Sequence, residues 1–345
     1  MTCKLCKINS ADNSNSHLIP FFLLKSMVTP TETKRTEKEI SFDLSKPGFV
    51  NYFLGRELLP EEIQEILGRD KTEEETKINN NFFTVDNVFC SSCEDKFTRI
   101  ESLFSSNIFS PLKKLSVGNL KDPLVFNEAN SLIAKLFCYS VIWRLAATNY
   151  REYKIHESTL EKLDKILNLC LSTVEKEVVP NALKNKDLIN NHKIALSYFD
   201  DPNIKNSKFV FFEPEKTNPR SFFINGLSIY FFNNNSAFSK KGNNFFGLEK
   251  SINRKEIHKT DYVIAYKNTT QQIVNGVDQM TNLVVNGMLK VFRFNFDYIY
   301  TRIHGMKPEQ SIVNYYIAEL IHDSYTYADK FSMQRIVNLT KKYFS

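Results

Sequence analysis

Four cysteines in two pairs constrain this chain more than any other feature. Cys3-Lys4-Leu5-Cys6 stands near the start, and Cys90-Ser91-Ser92-Cys93 follows far downstream, with residues 7–89 between them. A CxxC knuckle turns two sulfurs toward one point, and two knuckles offer the four thiolates that tetrahedral zinc takes. If both pairs serve one ion, residues 3–6 and 90–93 must meet, and everything between must leave and return. The gap is long for a compact ribbon, so an inserted segment is expected. A redox CxxC would need a thioredoxin-like βαβ setting, and neither pair has one. Cys138 and Cys170 lie in apolar helical sequence and read as buried, inert thiols.

Length bounds the rest. The chain has 345 residues, enough for two or three domains by length alone. Its 42% hydrophobic content supports real cores. A net charge of +6 is low for a chain that wraps nucleic acid along its whole surface, so such a site should be local. The most apolar stretch, residues 132–147, contains Lys135 and Arg144. It falls short of the roughly 20 apolar residues a membrane span needs. The polar opening MTCKLCKINS lacks the apolar run of a secretory signal. A cytoplasmic chain with reduced cysteines and no membrane partner is therefore expected.

Periodicity predicts an α+β fold. Residues 27–80 are polar and charged and read as a surface insertion, with a short helix opening at Pro60 and stopping near Gly68. NNFFTVDNVFC reads as a strand entering the second knuckle. Phe97, Ile100, Phe104 and Ile108 then recur at helical spacing, so a helix leaves it. Residues 131–149 are apolar almost all round, as a central core helix would be. Residues 158–178 read as one amphipathic helix, with Ser158 and Glu161 as a capping box. Strands are expected at 208–213, 221–232 with a hairpin turn at Asn225-Gly226, 261–267 and 291–300. The tail from Pro308 reads as two helices, about 309–325 and 328–343. The expected division is residues 1–110, a zinc-stabilised unit with the insertion, and residues 111–345, a helical and antiparallel-β part.

Ser16-His17-Leu18-Ile19-Pro20 lies between the knuckles, and Glu94 directly follows Cys93. The order of knuckle, histidine loop, strand, knuckle and helix resembles the zinc-bearing branch of the HNH endonucleases, a treble-clef or ββα-metal group. Within that branch, it is similar to a little-characterised bacterial family. That family has CxxC, SHxIP and CxxCE, a further glutamate matching Glu101, and a core helix ending as Trp143-Arg144-Leu145-Ala146 does. The resemblance covers residues 1–26 and 82–178 well.

The resemblance implies a hydrolase that cuts phosphodiester bonds in DNA, with RNA as the alternative substrate. His17 would be the general base and Glu94 a ligand of a catalytic Mg²⁺ or Mn²⁺, beside the structural Zn²⁺ of the four cysteines. Ser16 stands where the wider family has a metal-binding acid. Asn87 is the candidate for the family's middle asparagine, with Asp86 beside it as another oxygen donor. An anti-phage defence role, with a homo-oligomer or a partner protein supplying activation, would suit the larger C-terminal part. The competing class is a zinc-clamped module that binds nucleic acid or protein without catalysis.

Plain alternatives stand beside these roles. His17 could shape its loop, and Glu94 could serve its helix dipole. Glu101 reads as a surface or ion-pair residue, Arg144 as half of an internal ion pair and Trp143 as core. Lys4, Lys7, Lys25, Lys96, Arg99, Lys113 and Lys114 lie near the zinc unit in sequence and form a candidate basic rim for phosphates. With ten glycines in the chain, phosphate-cradling glycine loops are not expected, and none is seen.

Overall fold

A computed structural model of the chain describes residues 1–28, 40–46, 49–54, 83–116, 123–150, 153–199, 209–212, 219–224, 226–232, 257, 259–326 and 333–344, with a few single positions between 61 and 73. The fold is mixed α and β. After the first knuckle come β1 (Ser16–His17) and α1 (Phe21–Val28). Within the expected insertion, β2 (Ile40–Lys46) and β3 (Phe49–Leu54) form an antiparallel hairpin. The helix expected from Pro60 falls largely outside the described residues. Next, β4 (Thr84–Val85) pairs antiparallel with β1, and α2 (Ser91–Phe104) leaves the second knuckle. A π-helical turn, Ser105–Phe109, joins α2 to α3 (Ser110–Ser116).

Among the described residues, the strand expected before the second knuckle comprises two residues. Phe83 and Asn87 flank it with positive φ, at 54° and 56°. Left-handed backbone at both ends cannot continue an extended run.

β5 (Leu124–Val125) precedes the central helix α4 (Glu128–Ala147). The Asn127 side chain caps α4 by accepting from the Asn130 amide at 2.9 Å. Every residue from Ser131 to Leu145 is buried, which explains the apolar character all round. Its polar residues are buried with partners. Ser131 Oγ donates to the Phe126 carbonyl at 3.2 Å and accepts from the Val263 amide at 2.9 Å. Lys135 Nζ donates to Asn190 Oδ1 at 2.6 Å and to the Asp261 carbonyl at 2.8 Å. These bonds tie α4 to the sheet beside it.

The single helix expected over 158–178 is two helices. α5 (Glu157–Cys170) ends where Leu171 turns extended, and α6 (Glu175–Lys184) begins after a short link. Ser172 Oγ accepts from the Val174 amide at 3.1 Å and donates to Glu177 Oε2 at 2.8 Å, so local side-chain bonds replace helix continuation. The capping box at Ser158 does not form. His156 is the N-cap of α5, and Ser158 Oγ lies 2.9 Å from His156 Nδ1.

A short helix, α7 (Lys186–Ile189), leads into β6 (Lys193–Tyr198). Then come β7 (Phe209–Phe212), β8 (Arg220–Ile224), β9 (Leu227–Phe232) and β10 (Ile264–Lys267). They join an eight-stranded mixed sheet of order β3-β2-β7-β8-β9-β6-β10-β5. The expected hairpin is present: Ile224 pairs with Leu227, and Gly226 takes φ 88° at the turn, with Asn225 outside the described residues. Alternate residues of β9 face opposite ways. Leu227, Ile229 and Phe231 join the cluster around α4, while Tyr230 and Phe232 join a second cluster with Ile264 and Tyr266. Burial on both faces accounts for the nearly unbroken apolar runs. The larger cluster is continuous from Cys3 to Ala265, so the cysteine unit and the sheet share one core.

The strand expected at 291–300 is helical. It lies in α8 (Thr270–His304), which Thr269 and Gln272 open with a capping box and Gly305 closes in a left-handed cap. Phe292, Phe296 and Tyr300 alternate with polar residues, but they are also four apart and so share a helix face. That face packs on α9 (Gln310–Thr326) and α10 (Met333–Lys341), where Phe296 meets Val313, Tyr316 and Leu320. The two tail helices are thus present. No described helix is long and apolar enough to cross a membrane.

Candidate functional site

The sulfurs of Cys3, Cys6, Cys90 and Cys93 lie within 4.8 Å of one another. All six cysteines of the chain are free thiols. Cys6 Sγ and Cys90 Sγ are 3.8 Å apart. Zinc–sulfur bonds of about 2.3 Å at tetrahedral angles require sulfur–sulfur edges of about 3.8 Å. The four cysteines can therefore hold a metal ion such as zinc.

Backbone bonds shape each knuckle. The Lys7 amide donates to the Cys3 carbonyl at 2.9 Å with Lys7 left-handed at φ 58°, and the Cys93 and Glu94 amides converge on the Cys90 carbonyl at 2.9 and 3.0 Å. The knuckles are joined by the Lys4 amide to the Val88 carbonyl, 3.0 Å, and the Asn13 amide to the Phe89 carbonyl, 3.1 Å. Asn9 adds its amide to Cys6 Sγ at 3.5 Å and its Nδ2 to Cys90 Sγ at 3.6 Å. Burial pushes the Cys6 thiol up, but the backbone bonds from Asn9 and Ile8 outweigh it and bring it down to about 6. Burial raises Cys3. Cys93 is raised by burial and by the neighbouring Cys90 and Cys3. Four thiolates this close repel one another, and a divalent cation relieves that repulsion.

The first knuckle is docked on the helices. Lys4 Nζ donates to the Ala147 carbonyl at the end of α4 at 2.6 Å, Lys7 pairs with Asp164 at 2.7 Å, and Asn168 Nδ2 donates to the Leu5 carbonyl at 3.0 Å. Arg99 Nε donates to the Thr173 carbonyl at 3.2 Å, and Lys113 Nζ sits 4.9 Å from the centroid of the Phe109 ring. Four members of the expected basic rim thus have contacts within the chain. The side chains of Lys25 and Lys114 lie outside the described residues.

Between the knuckles, Ser16 pairs with Val85 and His17 with Thr84, and the Leu18 amide donates to the Phe83 carbonyl at 2.8 Å. Ser16 is buried, and the half-buried His17 ring lies 5.3 Å from the Phe21 ring. Burial, then the nearby Arg144 charge, lowers the His17 pKa and favours the neutral imidazole. Glu94 occupies the first turn of α2, and its Oε1 is buried without a hydrogen-bond partner. Burial dominates and raises the Glu94 pKa, opposed only in part by the Ser16 hydroxyl and the Arg144 charge. Asn13, which the sequence reading passed over, donates Nδ2 to Ser16 Oγ at 3.3 Å.

Arg144 links these parts. Its Nη1 donates to the His17 carbonyl at 2.6 Å, and its Nη2 meets Glu101 Oε1 at 2.8 Å. The internal ion pair expected of Arg144 is present, and Glu101 is its partner. Trp143 is core, with its ring 5.9 Å from Phe89 and 6.3 Å from Phe97.

Asn87 and Asp86 are exposed and staple two loops. The Asn87 amide donates to the Asn13 carbonyl at 2.8 Å, and Asp86 Oδ1 accepts from the Asn15 amide at 2.7 Å. Among the described residues, the four cysteines are the group of three or more His, Cys, Asp or Glu ligand atoms that comes together. Among those residues, His17 and Glu94 belong to no second such group. The chain matches no family model, no curated protein and no solved structure.

Proposed function

We propose that β1, β4 and α2, clamped by a structural zinc on Cys3, Cys6, Cys90 and Cys93, form an HNH-like ββα-metal unit that hydrolyses phosphodiester bonds in DNA. The observation that carries this reading is the juxtaposition of Ser16 with Glu94. The histidine strand and the acid-bearing helix emerge from the same cysteine cluster, and Glu94 Oε1 is buried there without a partner. A buried, orphaned carboxylate oxygen is the kind of group a hard cation satisfies.

In this reading His17, kept neutral by burial and by Arg144, takes the proton of the attacking water. Burial raises the Glu94 pKa against the opposing pull of the Ser16 hydroxyl and Arg144, and a cation, when bound, would favour the carboxylate form that serves as its ligand. A divalent ion such as Mg²⁺ or Mn²⁺, when bound, supplies charge neutralisation at the scissile phosphate. Magnesium sites commonly use one or two carboxylates with waters and phosphate oxygens, so a single Glu94 is chemically sufficient on the protein side. Anti-phage defence belongs to the same proposal, with residues 111–345 sensing, gripping substrate or assembling copies.

A second reading is favoured by the lack of a third ligand around His17 and Glu94 among the described residues. It is a zinc-clamped module that binds nucleic acid or protein without cutting. Plasmid nicking with Mg²⁺ or Mn²⁺, wild type against His17→Ala, separates the two. Equal cleavage by both proteins removes His17 as the base. No cleavage with either metal removes the nuclease reading and leaves the binding module.

A further inference from the structure

The guanidinium of Arg144 is 1% exposed and satisfied on three sides. Nη1 reaches the His17 carbonyl at 2.6 Å, Nη2 reaches Glu101 Oε1 at 2.8 Å, and Nε reaches the Ser140 carbonyl at 3.3 Å. Its flat face lies 4.7 Å from the centroid of the Phe97 ring. One side chain of α4 therefore joins β1, which carries His17, to α2, which carries Glu94 and Glu101. A lysine in this place offers a point charge rather than a planar fork and could not serve both partners in the same way.

Buried ion pairs are weak sources of stability, because desolvating both charges offsets most of their attraction. Apolar residues of similar size often hold a core as well. What the Arg144–Glu101 pair supplies beyond packing is direction: one guanidinium edge is fixed by α2, and another is presented to a single carbonyl on the histidine strand. We infer that Arg144, oriented by Glu101, is the positioning residue that fixes the His17 strand against α2, the helix that bears Glu94. The inference rests on the nuclease reading for its catalytic meaning, while its geometry stands independently of that reading.

The test uses the full chain carrying Arg144→Met with Glu101→Leu, so that neither charge is left buried alone. Zinc content and the urea midpoint report folding. Plasmid nicking and DNA affinity report function. Diethyl pyrocarbonate labelling, read by mass spectrometry, reports His17 itself, with the exposed His156 as internal reference. The double variant should fold with zinc, bind DNA as wild type does and modify His17 severalfold faster. Turnover should drop about 100-fold, the scale expected for a displaced catalytic group.

A folded double variant with wild-type turnover and a wild-type His17 labelling rate overturns the inference. If the wild type itself does not cut, the nuclease reading has failed separately, and the labelling rate alone decides whether Arg144 positions His17. If the double variant does not fold, Arg144→Lys, which retains the charge opposite Glu101, takes its place. Faster His17 labelling there supports the inference, and an unchanged rate overturns it.

Discussion

Cys6 and Cys90 are 84 positions apart in sequence, yet their sulfurs lie 3.8 Å apart. That distance is the edge of a zinc–thiolate tetrahedron. Purified protein should carry about one zinc per chain. Cys90→Ala should lose it, and Cys138→Ala, which alters a buried thiol outside the cluster, should keep it. Metal analysis by mass spectrometry decides this. Full zinc content in Cys90→Ala would remove the clamp.

His17 and Glu94 should act at the same step. His17→Ala should lower metal-dependent nicking by about 10²- to 10⁴-fold, the usual worth of a general base. Glu94→Gln keeps the shape of the side chain and removes its charge. It should raise the Mn²⁺ concentration needed for half-maximal cleavage. An unchanged metal requirement would exclude Glu94 as a ligand.

His192 sets an acid limit on stability. Its ring packs on Tyr139 and Phe231. Burial, with Lys162 and Lys135 adding to it, lowers its pKa from 6.5 to about 4. The unfolded chain therefore binds a proton that the native state refuses between those values. The contribution of neutral, buried His192 is fully present above pH 6.5 and is lost as the pH drops toward 4. The loss totals about 3 kcal/mol from this residue. His192→Phe should flatten urea-unfolding free energies across that window. An equally steep acid loss in the variant would place its cause elsewhere.

Gly226 is required by backbone geometry. Its φ is 88°, and a Cβ there would lie 2.3 Å from the Phe199 carbonyl oxygen. The same turn receives the Phe199 amide on the Gly226 carbonyl at 3.0 Å. Gly226→Ala should cost more than about 1 kcal/mol, the scale on which glycine replacement helps where the backbone permits it. Thermal unfolding measures this, and an unchanged midpoint would contradict it.

Much of the fold was legible because its signals are local. The all-apolar run of α4 announced burial on every side. The two aromatic runs around Gly226 paired in the expected hairpin. The failures share a cause: a local pattern compatible with two structures. Residues 291–300 alternate as a strand does, but alternation also places Phe292, Phe296 and Tyr300 four apart. A partner surface on α9 and α10 selects the helix. The Thr269 capping box and the Gly305 cap were signals that could have exposed the error.

At the candidate site the division is sharper. Residue chemistry and spacing were enough to identify four cysteines as a candidate metal set and to expect Arg144 to be internally paired, since those inferences need only short windows of sequence, whereas Ser16, His17 and Glu94 stood out through a family resemblance. Which groups meet could not be read in that way. Arg144 reaches His17 across 127 positions, Lys4 reaches Ala147 across 143, and Asp86 holds the Asn15 amide across 71. Those contacts follow from helices and strands packing into one core, where small shifts of whole elements determine which donor finds which acceptor. Only the folded chain places the Arg144 guanidinium between His17 and Glu101 and leaves the Glu94 oxygen beside them without a partner.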